Sequence, residues 1–172
     1  MRSYLNIDGL IAVAKEQGVD AWDADVVVKV QKPNADELLR DARGMEDDVL
    51  FVGPLYHGDL TKVLPATDAA AVPSIFPETF GLVAAEFAAS GVVPFVSDHS
   101  GLREAGEIVG RSLPFDLRVG MDGFEENLAK ALSDYLKLPE EERRGCEEVV
   151  RRNCVEHLSW GTLAEKLVAL VG

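Results

Sequence analysis

Strand-like and helix-like stretches alternate along this sequence, and that alternation restricts the fold more than any other feature. Short runs of β-branched or apolar residues read as buried strands: DVVVKV (25–30), VLFVG (49–53), AAAVPS (69–74), VPFVS (93–97) and a last short one, SLPFD (112–116). Segments with apolar residues at helical spacing lie between them. YLNIDGLIAVAKEQG (4–18) ends at Gly18, and NADELLRDARG (34–44) has Asn34 at its N-cap and Gly44 beyond its end. GDLTKVLPATD (58–68) is a short helix broken at Pro65, and FGLVAAEFAAS (80–90) is a longer one. DHSGLREAG (98–106) reads as a turn, and three polar-faced helices over roughly 121–136, 139–153 and 159–171 close the chain. Such alternation calls for an α/β, Rossmann-like, doubly wound parallel sheet with helices on both faces and right-handed crossovers. No composition break, repeat or linker interrupts it. Residues 1–172 are therefore expected to form a single domain, with the C-terminal helices of 121–172 extending from the sheet.

Charge and composition remove several functions. A net charge of −13 repels nucleic acid and anionic membranes alike, so neither is an expected partner. Apolar residues make up 47% of the chain, enough for a packed core. No apolar run reaches the ~20 residues that span a bilayer, and MRSYLNIDGL lacks the apolar core of a signal peptide. Cys146 and Cys154 lack metal-ligand spacing and suit a reducing compartment. Together these point to a cytoplasmic protein without a transmembrane segment. His57, His99 and His157 are scattered, so no metal site is expected, and His99 reads as a solvated loop residue. Ser74 and Ser100 have no arrangement that supports a serine hydrolase.

Ligands of an open α/β sheet bind beyond the carboxyl ends of its strands. Two loops fall there: PSIFPETFG (73–81) and SDHSGLREAG (97–106). In the first, Thr79 is placed to cap the following helix, leaving the N–H groups of Phe80, Gly81 and Leu82 unpaired and pointing outward. A helix end of that kind is a seat for phosphate, and Gly81 admits a ligand close to the backbone. The helix is apolar all round except for Glu86, eight positions after Glu78. An apolar helix of this kind is expected to be covered on all sides, where a carboxylate needs a donor. That donor is either a protein cation such as Arg103 or a pair of ligand hydroxyls. On the ligand reading, a ribose sits against Glu86 and a phosphate at the helix start. Glu78 then accepts hydroxyls from whatever the phosphate carries, and the ligand is a nucleotide sugar. On the other reading, Glu78 only complements the positive helix end and Glu86 forms a structural ion pair.

The stretch PSIFPETFGLVAAEFAASGVVPFVSDHSGLRE (73–104) resembles the donor-site signature of retaining glycosyltransferases of the GT-B fold, the group 1 or glycogen-synthase-like superfamily. The shared pattern is P-S-x-x-x-E-x-F-G-L-x-x-x-E, then an A-x-G-x-x-P strand and a G-L-x-E loop. VLFVGPLYHGDLTKVLPATDAAAVPS (49–74) resembles the segment before it, and HLSWGTLAEKLVALVG (157–172) the family's closing S-W helix. The likeness covers roughly residues 48–172. It implies two Rossmann-like domains facing a cleft, with this chain the C-terminal, donor-binding one. Its partner would be the N-terminal acceptor-binding domain of the same enzyme, which the sequence lacks. Carried over residue by residue, the resemblance makes Glu78 the catalytic-site residue that binds donor-sugar hydroxyls. It puts the backbone of Thr79, Phe80, Gly81 and Leu82 on the sugar and phosphate, and Glu86 on the ribose. Glu104 matches the loop glutamate by position, without an assigned role. The implied reaction transfers a hexosyl group with retention from a UDP-, GDP- or ADP-sugar, with no cofactor or catalytic metal. Stabilising the departing diphosphate is a large part of it.

The beginning of the chain departs from the family pattern. Arg2 stands near the position of the family's diphosphate-binding arginine, but Asp8 of IDGL occupies the lysine position with the wrong sign. KVQKPN (29–34) replaces a glycine loop, which leaves Lys29 or Lys32 to supply a cation. These departures fit an excised domain of a longer enzyme, a domain with an altered sheet, or a sheet completed by another chain. The first is preferred: a donor-binding domain that binds its donor weakly and is inactive alone. The alternative is a non-catalytic nucleotide-sugar-binding or assembly domain on the same fold, with a sugar phosphorylase third. Trp22 and Trp160 read as packing anchors, and PEEERRGCEEVVRR (139–152) as a solvated helix face with Glu–Arg pairs. Asp116 and Arg118 have no assigned role.

Overall fold

The computed structural model describes residues 26–28, 49–51 and 55–171. The chain divides into two compact units, residues 1–60 and 61–172. The helices expected over 4–18 and 34–44, and Trp22, lie outside the described residues. In the first unit, β1 (Val26–Val28) and β2 (Val49–Phe51) pair in parallel, Val26 opposite Val49 and Val28 opposite Phe51. Helix α1 (His57–Val63) runs across the point where the units divide in sequence. A 3-10 turn, Leu64–Ala66, ends it, with Pro65 in the first turn where a missing N–H is harmless.

The second unit is built on a parallel sheet of order β3-β4-β5: Ala69–Val72, Val93–Ser97 and Arg118–Val119. Every residue of β4 is buried, as a central parallel strand with helices on both faces requires. Alternate side chains serve the two faces. Phe95 stacks on Phe115, with ring centroids 6.1 Å apart, and meets Tyr135 edge-on at 5.9 Å. Val96, on the other face, packs with Val72, Ala84, Leu102 and Ala105. Those last three lie on α2 (Leu82–Ala89) and α3 (Ser100–Val109). Tyr135 lies on α4 (Phe124–Leu136).

Three elements differ from the sequence reading. Residues 100–109 form a helix, not a turn. Gly101 and Gly106 suggest a turn, yet both are places where another element presses on the helix. A β-carbon on Gly106 would lie 2.7 Å from Val96 Cγ2, and one on Gly101 2.4 Å from backbone atoms of Thr79 and Phe80. The last strand falls at 118–119, not 112–116, and Phe115 before it stacks on Phe95. Asp116 then accepts from the Arg118 N–H at 2.9 Å and pairs with its guanidinium, which holds the Asp116 carboxyl below its usual range. Helix α5 (Glu140–Leu158) is more than a solvated face. It buries Cys146, Val150, Asn153 and Cys154, and Arg143 reaches Asp68 at 3.3 Å.

Both cysteines are free and buried, and burial pushes both thiols up in pKa. Helix α6 (Trp160–Val171) packs against α5, but Trp160 is 88% exposed and anchors nothing. No helix among the described residues is long and apolar enough to cross a membrane.

Candidate functional site

The loop from Pro73 to Gly81 leaves the carboxyl end of β3, and the turn at 98–99 leaves that of β4. Adjacent parallel strands bring the two loops side by side at one sheet edge. Hydrogen bonds then join them. The Glu78 N–H donates to Ser100 Oγ at 3.0 Å, and the Gly101 N–H donates to the Glu78 carbonyl at 2.9 Å. His99 Nε2 lies 2.6 Å from the Ser74 carbonyl, which can only accept, so this nitrogen carries the proton. Its Nδ1 lies 2.9 Å from Ser100 Oγ. His99 is thus half-buried and bonded on both ring nitrogens, not solvated.

Thr79 does not cap the helix. It is exposed, and α2 begins at Leu82 with Gly81 as its N-cap, at φ 82° and ψ 52°, without a side-chain cap bond. Gly81 is buried, and a β-carbon there would lie 2.6 Å from Leu102 Cδ2. Left-handed backbone and close packing on α3 therefore require glycine here. The Phe80 amide nitrogen lies against Gly101, and its ring packs on the cluster of Val72, Val96 and Leu102. The Ala84 N–H donates to the Gly81 carbonyl at 3.0 Å. The N–H groups of Leu82 and Val83, at the first two helical positions, have no intrahelical acceptor.

The face of α2 that carries Glu86 is open, not covered. Leu82 is 70% exposed and Val83 46%, and these lie one turn before Glu86 on the same side. The buried side is narrow, Ala84 and Ala88, with the Ala85 carbonyl accepting from Cys154 Sγ at 3.3 Å. Glu86 is half-buried, and among the described residues its carboxylate has no hydrogen bond or ion pair. Arg103, the protein cation suggested for it, is taken by Asp98: Nε to Oδ1 at 2.8 Å and Nη2 to the Asp98 carbonyl at 2.9 Å. Glu104 is exposed. Sequence reasoning placed His99 and Ser100 in a loop at this edge but missed their bonds, which cross to the facing loop. Among the described residues, no three His, Cys, Asp or Glu side chains come together to hold a metal ion.

A parallel sheet wound with helices, its loops gathered at the carboxyl edge, defines the Rossmann-like α/β class. The catalytic domain of starch synthase IV from Arabidopsis thaliana, bound to ADP and acarbose, shares this fold with a TM-score of 0.60. The match covers 99% of this chain and 43% of that one, at 18% identity. Residues 4–151 match the family described as glycosyl transferases group 1. A D-inositol 3-phosphate glycosyltransferase from Actinosynnema mirum is 36% identical over 148 residues, which are 80% of this chain and 31% of that protein. The chain belongs to the group 1 glycosyltransferase family and has the fold of a GT-B domain. It spans about a third of the length of the curated relative it matches.

Proposed function

We propose that this chain is the donor-binding half of a retaining glycosyltransferase. It binds a nucleotide-diphosphate sugar and presents it to an acceptor held by an N-terminal domain of the same enzyme. The observation that carries the reading is Glu86, a half-buried carboxylate with no hydrogen bond or ion pair among the described residues, on the open face of a helix whose first two N–H groups have no intrahelical acceptor. A half-buried carboxylate on an open face is available to accept from a ligand, and a ribose diol supplies two donors. The free helix end favours the diphosphate, and its dipole offsets part of the developing charge as the bond to the sugar breaks. Glu78, in the loop next to that end, accepts hydroxyls of the transferred sugar. The backbone of Thr79 to Leu82 lines the space between. On this reading no metal or cofactor takes part, and the isolated chain binds its donor weakly without turning it over. The free buried thiols suit a cytoplasmic location.

The test is a titration with UDP-, GDP- and ADP-glucose followed through backbone amide shifts. The expected result is perturbation centred on Leu82, Val83 and Glu86. Glu86→Ala should weaken every nucleotide that binds by about tenfold or more, the scale of hydrogen bonds to a charged acceptor. Glu78→Ala should leave the bare nucleotide unaffected and blunt the choice between sugars. Silence at these amides with millimolar nucleotide rejects the reading. If binding holds, adding the N-terminal half in trans should restore transfer from a radiolabelled donor. Binding without transfer would favour a non-catalytic domain.

A further inference from the structure

We infer that His99 and Ser100 are positioning residues that set the direction of Glu78, and hence the choice of sugar, an inference that rests on the donor-site reading above. Both backbone polar groups of Glu78 are held by consecutive residues of the facing loop: its N–H by Ser100 Oγ at 3.0 Å and its carbonyl by the Gly101 N–H at 2.9 Å. Ser100 Oγ also bonds His99 Nδ1, and His99 Nε2–H reaches back to the Ser74 carbonyl near the loop's other end. The chain between these anchors has no regular structure, and Ile75, Phe76 and Pro77 stand exposed. Without the His99–Ser100 pair, the Glu78 backbone would keep only the Gly101 bond at its carbonyl. With it, the residue proposed to read the sugar is fixed from both sides.

The backbone of Ser100 supports the assignment. It sits at φ 46°, in the left-handed region that glycine adopts readily and serine does not. Glycine would be the easier residue there on backbone grounds alone. A serine in that conformation is held by what its hydroxyl does, and here the hydroxyl joins Glu78 to His99.

Ser100→Gly separates the two roles, because it removes the hydroxyl while relieving the backbone. The full chain would be titrated with each nucleoside diphosphate (uridine, guanosine and adenosine) and, for those that bind, with its glucose and mannose or galactose derivatives. In Ser100→Gly the thermal midpoint and the bare nucleotide Kd should hold. The ratio of Kd values between sugars should shrink by about threefold or more, the scale of one lost hydrogen bond. The Glu78 amide should exchange with solvent about tenfold faster once its acceptor is gone. His99→Ala should narrow the same ratio. The double variant should do no more than the stronger single one, as for residues acting as a unit. An unchanged sugar ratio or unchanged Glu78 exchange in Ser100→Gly overturns the inference and leaves the donor-site reading standing. So does a wild type that binds nucleotide without distinguishing sugars. Failure of the wild type to bind any of these ligands removes the donor-site reading and this inference together.

Discussion

At the scale of single residues, two glycines of α3 test how the site is built. Gly101 has no room for a β-carbon because Thr79 and Phe80 main-chain atoms are in the way, at 2.4 Å. Gly106 meets a Val96 methyl at 2.7 Å and the Arg118 stem at 3.0 Å, and side chains can shift where backbone cannot. Gly101→Ala should therefore destabilise by about 3 kcal/mol and Gly106→Ala by about 1–2 kcal/mol, the span seen for overpacked cores. Urea midpoints measure both. A milder effect at Gly101 would mean that the 73–81 loop is not docked on α3. The same contacts explain what the sequence hid. Glu86 was legible because a lone charge in an apolar run is a local fact. The packing of Gly81 on Leu102 was not legible, because nothing nearby in sequence announces Leu102. Thr79 looked like a cap because Ser and Thr caps are common, whereas the left-handed turn at Gly81 starts the helix later.

At the scale of elements, the parallel alternation was legible and the boundaries around α3 were not. Leu102, Ala105 and Val109 give the helix its buried stripe, but three small or apolar residues are a faint periodicity beside two glycines. What ends that helix is also remote. Asn153, buried on α5, donates from Nδ2 to the carbonyls of Val109 at 2.9 Å and Arg111 at 2.6 Å. These are carbonyls at the end of α3, which lack intrahelical donors. No signal within 100–111 points to a residue on another helix. Asn153→Ala removes both bonds and leaves the buried Val109 carbonyl unpaired, and should lower stability by about 2 kcal/mol. Asn153→Asp retains the shape but sets an acceptor against two acceptors, so its urea midpoint at neutral pH should fall below that of Asn153→Ala. Equal midpoints would show that the two bonds contribute packing alone.

At the scale of the whole molecule, the sequence could not distinguish an apolar residue covered within the chain from one left open. Trp160 reads as a packing anchor, and it stands exposed. The same blindness applies to the open face of α2. Net charge, by contrast, is read without error, and it makes a demand on the proposed ligand. A chain of charge −13 repels a diphosphate at long range, while the helix end that would hold it attracts only over the last few ångströms. Salt acts differently on the two. The Debye length shrinks from about 30 Å at 0.01 M to about 8 Å at 0.15 M, so distant carboxylates are screened and contact hydrogen bonds are not. Nucleotide binding should therefore tighten by a few-fold as salt rises over that range, the reverse of the usual behaviour of anion sites built from lysine and arginine. Calorimetric Kd values at several ionic strengths read this directly. Weakening with salt would mean that cations beside the diphosphate outweigh the field of the whole chain. The sequence offers Arg2, Lys29 and Lys32, and the salt slopes of their alanine variants would then identify which of them carries the effect.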